Sequence, residues 1–250
     1  MNYCLRVLED RGYKIDQNAL IVDFGCGDAK KVKALRTQGY NALGCDIFEG
    51  TDDRQSAVPD RAAEHTRQMR EDKLILPITL SPYRLPFTDN SVDFIFSETV
   101  FEHVENIDET VAELARVLKP GGATFHHFPA KYSLIEQHLY IPFGGCIRNY
   151  PYWYFWALTG FRKYYQKDMP VAERARQNIE HLRKTTFYRT ERQLRNAFGR
   201  HFPKVSFAED NYFKVTPSRK SQFLGKLSRK IPGIAKAYRT FWANALVAEK

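Results

Sequence analysis

The feature that most constrains this chain is Ala19-Leu-Ile-Val-Asp-Phe24, an apolar, β-branched run that stops abruptly at Gly25-Cys-Gly27. The run is too apolar for a surface strand and reads as a buried parallel strand. Glycines at its end permit backbone angles and a closeness of approach that a Cβ forbids, and Lys30-Lys-Val-Lys-Ala-Leu-Arg36 then reads as a helix. Such a turn cradles a nucleotide-like ligand. A second strand at 41–46 ends in Asp46, 23 residues after Asp23. That is close to the ~20-residue spacing at which a carboxylate reaches ribose hydroxyls. A vicinal diol donates two hydrogen bonds, and an ionised carboxylate accepts both.

A dinucleotide site and an S-adenosylmethionine site share this logic, and the next stretch separates them. It runs Leu85-Pro-Phe-Thr-Asp-Asn-Ser-Val-Asp-Phe-Ile-Phe-Ser-Glu-Thr-Val-Phe-Glu-His-Val104, with Leu118-Lys-Pro-Gly-Gly122 following an amphipathic helix. Taken in order, these motifs resemble the class I S-adenosylmethionine-dependent methyltransferases, in particular those acting on small molecules, over about residues 15–130. The resemblance implies a Rossmann-like α/β fold with a seven-stranded, mostly parallel sheet, helices on both faces, and S-adenosyl-L-methionine as cofactor. It also implies a site. Asp23, Gly25, Cys26 and Gly27 match the first motif, at the methionine end of the cofactor. Asp46, followed by Ile47, matches the ribose acid, and Ser97 and Glu98 match the end of the fourth strand beside the sulfonium. The family's adenine-binding acid is here Ser81, whose hydroxyl can accept the same hydrogen bond. The third glycine position is Ala29, which the resemblance implies a helix start tolerates.

At 250 residues and 43% apolar, the chain can bury one sizeable core, so one domain with an insertion is expected. No apolar run approaches the ~20 residues that cross a bilayer, and the N-terminus lacks a signal-peptide pattern; the expected location is cytoplasmic. Cys4, Cys26, Cys45 and Cys146 have no zinc-like or disulfide-framework spacing. The charge is divided unevenly: residues 1–130 hold 15 Lys/Arg against 21 Asp/Glu, and residues 131–250 hold 23 against 8. The second half therefore suits an anionic partner such as phosphate or a lipid head group, or is simply a well-solvated surface. No RNA-binding module is visible, and nucleic acid is not the expected partner. Asn149-Tyr-Pro-Tyr152 superficially resembles an element of DNA amino-methyltransferases, but that element belongs directly after the fourth strand.

Three regions follow. Residues 1–130 read as the cofactor-binding core. Residues 2–12 form a helix over the pocket, 60–70 an exposed helix, 73–79 a third strand, 92–96 a fourth, 108–118 a helix and 123–128 a fifth strand. Residues 131–202 read as a lid and substrate insertion, too long for a structureless loop. The aromatics of 140–156 serve either as the insertion's own small core or as a substrate wall, and 171–184 and 190–198 read as basic helices. Residues 203–250 complete the sheet with strands at 204–209 and 243–249. Between them lies a basic amphipathic stretch, 218–242, broken at Pro232-Gly233, which packs on its own domain or lies on an anionic membrane surface.

Ligands of an open α/β sheet sit outside the carboxyl ends of its strands, so whatever follows the fifth strand lies near the chemistry. His138 has the titration range of a general base and Glu136 is placed to orient it; both are assigned to catalysis, provided the segment is extended. Tyr132, Tyr140 and Arg148 are the expected substrate-binding residues. His126, His127, Glu136 and His138 have no recognised metal-ligand spacing, and no metal is expected. Residues 129–145 are similar to methyltransferases of sugar and cell-envelope glycan assembly. The favoured expectation is thus O-methylation of a sugar or glycolipid hydroxyl. Its rivals are an enzyme for an apolar metabolite, such as a quinone, lipid or polyketide, and a cofactor-binding regulatory protein without turnover.

Overall fold

The computed structural model describes residues 2–47, 68, 70, 72–162 and 166–250. The helix expected at 60–70 lies almost wholly outside them. Seven strands form one sheet in the order β3 (Ile75–Pro77), β2 (Ala42–Asp46), β1 (Ile21–Phe24), β6 (Val92–Glu98), β7 (Leu118–Pro129), β9 (Ala243–Glu249), β8 (Lys204–Phe207). β9 runs antiparallel to both neighbours, and every other pairing is parallel. This is the mostly parallel Rossmann-like sheet that the sequence predicts. Beside it, β4 (Thr79–Leu80) and β5 (Tyr83–Arg84) form a separate small hairpin.

The period-2 alternation of the strands divides the core in two. Phe96 and Phe125 face one side, where they meet Leu5 of α1 (Tyr3–Asp10), Val32 and Leu35 of α2 (Lys30–Thr37) and Phe213 of α7 (Glu209–Val215). Ile95 and Leu246 face the other, against Val111 and Leu114 of α3 (Ile107–Val117) and Leu194 and Phe198 of α6 (Glu191–Gly199). Each such side chain stabilises the fold by about 1.5–3 kcal/mol when fully buried. Helix α1 spans the expected residues and stops at Gly12, but it packs on β7 and α7 rather than over the pocket.

The fifth strand begins earlier than expected. Leu118 leaves α3 in an extended conformation and pairs with Val92. The register is irregular across Lys119-Pro-Gly-Gly122 and resumes at Phe94 opposite Ala123. The Pro-Gly-Gly signal marks an irregularity inside the strand rather than a turn before it.

The insertion forms α4 (Tyr150–Leu158) and α5 (Val171–Thr185) around a third core of Trp153, Leu139, Ile141, Ala157, Ala175, Ile179 and Leu182. Tyr152, Tyr154, Trp156 and Phe161 pack against it. These aromatics form the insertion's own core, while Tyr140, Phe143, Tyr150 and Phe155 remain exposed. Helix α6 begins with a capping box between Thr190 and Gln193 and sends Leu194 and Phe198 into the main core. In the basic stretch, α8 (Arg219–Ser228) and α9 (Ile234–Phe241) are separated at Gly233, which has φ +93°.

Gly44 of β2 sits where a Cβ would lie 2.8 Å from Cys26 Cβ and 3.2 Å from Val32 Cγ2. Overpacking at such a site costs about 1–3 kcal/mol. Gly44→Ala is expected to lower the melting temperature by several degrees, and adding Cys26→Ala should restore part of the loss in a thermal-denaturation double-mutant cycle.

Candidate active site

The strand-end geometry builds the cradle. In parallel register Phe24 pairs with Cys45, which brings Gly25 N–H onto Cys45 O at 2.8 Å. Gly25 has φ +71°, and a Cβ there would lie 2.7 Å from Val100 Cγ1. Only glycine fits. One residue beyond β2's pairing with β1, the Asp46 carboxylate accepts from Gly27 N–H at 2.6 Å and Ile47 N–H at 2.7 Å, so the acid and the glycine turn hold each other. Ala29, the relaxed third glycine, adopts φ +54° and starts α2 without a side-chain cap.

Above this turn opens a cavity of about 650 Å³. Gly25, Gly27, Asp46 and Ile47 line one end, with Ile78, Leu80 and Tyr83 beside them. The cradle, the acid at its mouth and the apolar flank fit the turn, ribose and base of an adenosyl group. The lining also includes Thr99, His103, Asn106, Lys184 and Phe187.

Several expected cofactor residues serve this floor from beneath. Asp23 is buried, facing the same side of the sheet as Glu98, whose carboxylate pairs with Lys31 at 2.8 Å. Burial pushes the Asp23 carboxyl up to about 7, against the opposing pull of Lys31. Burial also works against the charge on Glu98, but bonds from Lys31 and Tyr3 keep its pKa below the usual carboxylate range. Cys26 packs toward Gly44 and does not line the cavity. Ser97 turns to the other face and shares a 2.8 Å hydrogen bond with His126 Nδ1, where burial pushes the imidazole down to about 3. Ser81 is exposed at the tip of the β4–β5 hairpin and lies outside the cavity lining, because the hairpin turns it outward; its neighbours Leu80 and Tyr83 line the cavity instead.

The expected catalytic pair does come together. Glu136 Oε1 lies 2.6 Å from His138 Nδ1, and Oε2 accepts from the backbone N–H groups of His138 and Leu139 at 2.9 and 2.7 Å. Tyr188 donates its hydroxyl to Oε1 at 2.9 Å. Burial alone would raise the pKa of this carboxyl, but these bonds, led by His138, hold it below the usual range. The pairing arises from a tight turn, not from the i, i+2 geometry of a strand: Tyr140 N–H returns to Glu136 O, with Tyr140 at φ +57°.

His138 itself does not line the cavity; His103 does. His138 Nε2 lies 3.2 Å from His103 Nε2, and His103 Nδ1 lies 2.6 Å from the Thr185 carbonyl. His103 thus stands between the expected base and the cavity. His126 and His127 point to opposite faces, as expected, and neither lines it.

The expected substrate residues fare differently. Tyr140 is 70% exposed and away from the cavity. Arg148 spends its guanidinium on Gly145 O, Leu182 O, Thr186 O and Thr186 Oγ1, which fixes the end of α5. Its role in the observed contacts is to hold the insertion's chain. Tyr132 and Arg148 do line a second depression of about 460 Å³, with Lys131, Arg183 and Tyr188, adjoining the first at Phe187.

Residues 22–126 match the family model of a methyltransferase domain. That segment is similar to a methyltransferase domain. Over 123 residues the chain is 32% identical to the biotin biosynthesis bifunctional protein BioHC of Cellvibrio japonicus, covering 49% of this chain and 22% of that one. It is 31% identical over 102 residues to 24-methylenesterol C-methyltransferase 2 of Arabidopsis thaliana, covering 40% and 26%. The chain thus spans about a quarter or less of the length of these curated relatives. Among solved structures, an S-adenosylmethionine-dependent methyltransferase from Mesorhizobium loti superposes with a TM-score of 0.52 at 16% identity, over 100% of this chain and 98% of that one. Phosphoethanolamine N-methyltransferase 2 of Haemonchus contortus, in complex with S-adenosyl-L-methionine, gives 0.52 at 14% identity, over 98% and 51%. The matched segment of the methyltransferase domain ends at His126, so residues 131–202 lie outside it.

Sequence reasoning gave His103, Thr99, Asn106, Phe187 and Tyr188 no place in the site. The available signal was position: 99–106 directly follows the fourth strand at the sheet's carboxyl edge.

The raised pKa of Asp23 has a consequence for stability. Its folded value of about 7 lies above the unfolded carboxylate range, so the native state binds the extra proton and stability falls as pH rises from about 4 to 7. In urea titrations, the difference in stability between Asp23→Asn and wild type should therefore shift in favour of the variant between pH 5 and pH 8.

Proposed function

We propose that this chain transfers the methyl group of S-adenosyl-L-methionine to a hydroxyl of a sugar or glycan acceptor. The observation that carries the reading is the polar chain Glu136–His138–His103, which ends at the cavity that Gly25 and Gly27 also line. Bound cofactor supplies a methyl group activated by its sulfonium. Gly25 and Gly27 admit it, and Asp46 takes its ribose hydroxyls. An acceptor hydroxyl enters past Thr99, Asn106 and Lys184, polar groups that suit a polyol. His103 faces the acceptor, and when no cation occupies the His103–His138 pair the hydroxyl's proton passes to His103 Nε2, the ring nitrogen not committed to the Thr185 carbonyl. Glu136 and Tyr188 position His138 from behind.

Two further observations favour a glycan over an apolar metabolite. Trp153, Tyr152, Tyr154, Trp156 and Phe161 are committed to the insertion's own core, and of the insertion's described aromatics only Phe187 is among the residues lining the cavity. The adjoining depression carries Lys131 and Arg183, whose positive potential suits a nucleotide diphosphate or lipid-linked phosphate on the sugar. A lipid-linked acceptor also suits α8 and α9. Phe223 and Phe241 on these helices and Ile231 between them are exposed in a stretch, 218–242, that holds seven Lys/Arg and no acid, a composition suited to the surface of an anionic membrane.

S-adenosylhomocysteine production should be measured against sugar, nucleotide-sugar, glycolipid and quinone acceptors. Turnover is expected with the sugar-bearing acceptors, with His103→Ala lowering kcat by about 10²–10⁴-fold at unchanged cofactor affinity. Turnover confined to quinones, or undiminished in His103→Ala, would overturn the reading. Separately, Asp46→Ala is expected to weaken S-adenosylhomocysteine binding by about tenfold or more in calorimetry, as charge-assisted hydrogen bonds are lost.

A further inference from the structure

The hydrogen bonds around the two histidines fix where their protons sit. The Thr185 carbonyl can only accept, so His103 Nδ1 carries a hydrogen and donates it at 2.6 Å. The Glu136 carboxylate already receives two backbone N–H groups and the Tyr188 hydroxyl, so His138 Nδ1 likewise donates, at 2.6 Å. In the neutral ring the remaining nitrogen then bears a lone pair. Both Nε2 atoms are in that state, and they face each other at 3.2 Å. Two lone pairs at this distance repel unless a cation lies between them.

A third donor completes the set. Glu102, adjacent to His103 in the chain and 2% exposed, has a buried carboxylate oxygen, Oε2, with no hydrogen-bond partner. The donor atoms of Glu102, His103 and His138 all lie within 4.8 Å of one another. An unpartnered carboxylate oxygen in so buried a place is costly unless something positive meets it.

We propose that Glu102, His103 and His138 bind a divalent transition-metal ion, with zinc as the reference ion. Three features fit. Zinc–nitrogen bonds of about 2.0–2.1 Å at a tetrahedral angle set two histidine nitrogens about 3.3 Å apart, close to the observed spacing. Two imidazoles and one carboxylate suit zinc and its first-row neighbours; magnesium and calcium prefer oxygen-rich sets. The outer shell is also in place: ligating histidines characteristically donate their other N–H to a carboxylate or backbone carbonyl, and here Glu136 and Thr185 are those acceptors. Three protein ligands leave a fourth position open, and His103 brings it to the cavity edge. The sequence reading of a metal-free chain missed this set because Glu102-His103 and His138 are 35 residues apart and meet only when the insertion folds over the loop after β6.

The test needs no acceptor and no cofactor. The full chain, stripped with a chelator and dialysed, is titrated with zinc alone by calorimetry, and with cobalt(II) alone by visible absorption, which reports tetrahedral coordination. One equivalent is expected to bind, with the intense d–d bands of a four-coordinate site. His103→Gln and His138→Gln should each abolish the spectrum and weaken zinc by at least about 100-fold, while the outer-shell change Glu136→Gln should weaken it by about 10–100-fold. Circular dichroism and melting temperature establish that each variant is folded. His201→Ala, altering an exposed histidine elsewhere, should leave binding unchanged. Absence of stoichiometric binding to wild type, or binding that survives both His→Gln changes, would overturn the site even if turnover persists. Metal binding without turnover would instead sustain the site and count against the proposed function.

Discussion

The cofactor end of this molecule depends on the reciprocal grip between Asp46 and the glycine turn. The β1–β2 register places Cys45 O over Gly25 N–H and carries the next residue, Asp46, to the N–H of Gly27. Three conditions must hold together for this. The turn must take positive φ at Gly25 and Gly27, Val100 must find no Cβ at Gly25, and Cys26 must find none at Gly44. A sheet with the same strand order but ordinary residues at those positions would hold its strand ends further apart, and the cavity above them would change shape. The Asp46 carboxylate accepts from two backbone N–H groups, charge-assisted bonds that hold it in place at the strand end.

Glu136 plays a comparable part at the other end. It is a fully buried carboxylate with its partners satisfied: two backbone N–H groups, one phenol and one imidazole. Because Tyr188 follows α5 and His138 follows β7, a single side chain ties the start of the insertion to its return. Removing one partner would leave a buried charge short of a hydrogen bond, which costs far more than the net worth of the bond that was lost. The insertion is thereby anchored at the cavity edge, although its own body packs on Trp153, Ile179 and Leu182. Specificity and stability are then carried by different residues of the same segment: the aromatic core holds α4 to α5, and the 136–139 turn with the 184–188 strap faces the chemistry.

What the sequence made legible follows from the range of each interaction. The sheet, and the glycine turn with an acid at the end of the next strand, could be read because their signals are local: a run of apolar residues, a pair of glycines, an acid at the end of a strand. The roles of His103, Tyr188 and Arg148 could not, because each is defined by a partner 34 or more residues away, at His138, Glu136 and the end of α5. Arg148 shows the direction of the error. A basic residue in an aromatic-rich insertion looks like a ligand for phosphate, yet four of its hydrogen bonds go to main-chain or side-chain oxygens of its own neighbourhood. Ser81 failed for a related reason, since a position counted from a motif carries no information about which way a two-residue hairpin turns.

The arrangement of the two ends explains why one half of the chain matches a broad family while the other does not. The cradle requires backbone geometry that few residue types can supply, so its pattern of glycines and acids is shared by enzymes with unlike acceptors. Beyond Pro129 the constraint changes in kind. The insertion must close its own core, satisfy one buried carboxylate and bring polar groups to the cavity edge, and many sequences could do that. Here the choice fell on two imidazoles whose outer nitrogens are already committed, to Glu136 and to Thr185. Both rings are therefore oriented before any ligand arrives, and their inner nitrogens are left to whatever positive or hydroxylic group enters the seam between the loop after β6 and the end of α5. On the proposed function, acceptor chemistry is decided at that seam, a few residues wide, and not by the aromatic mass of the insertion behind it.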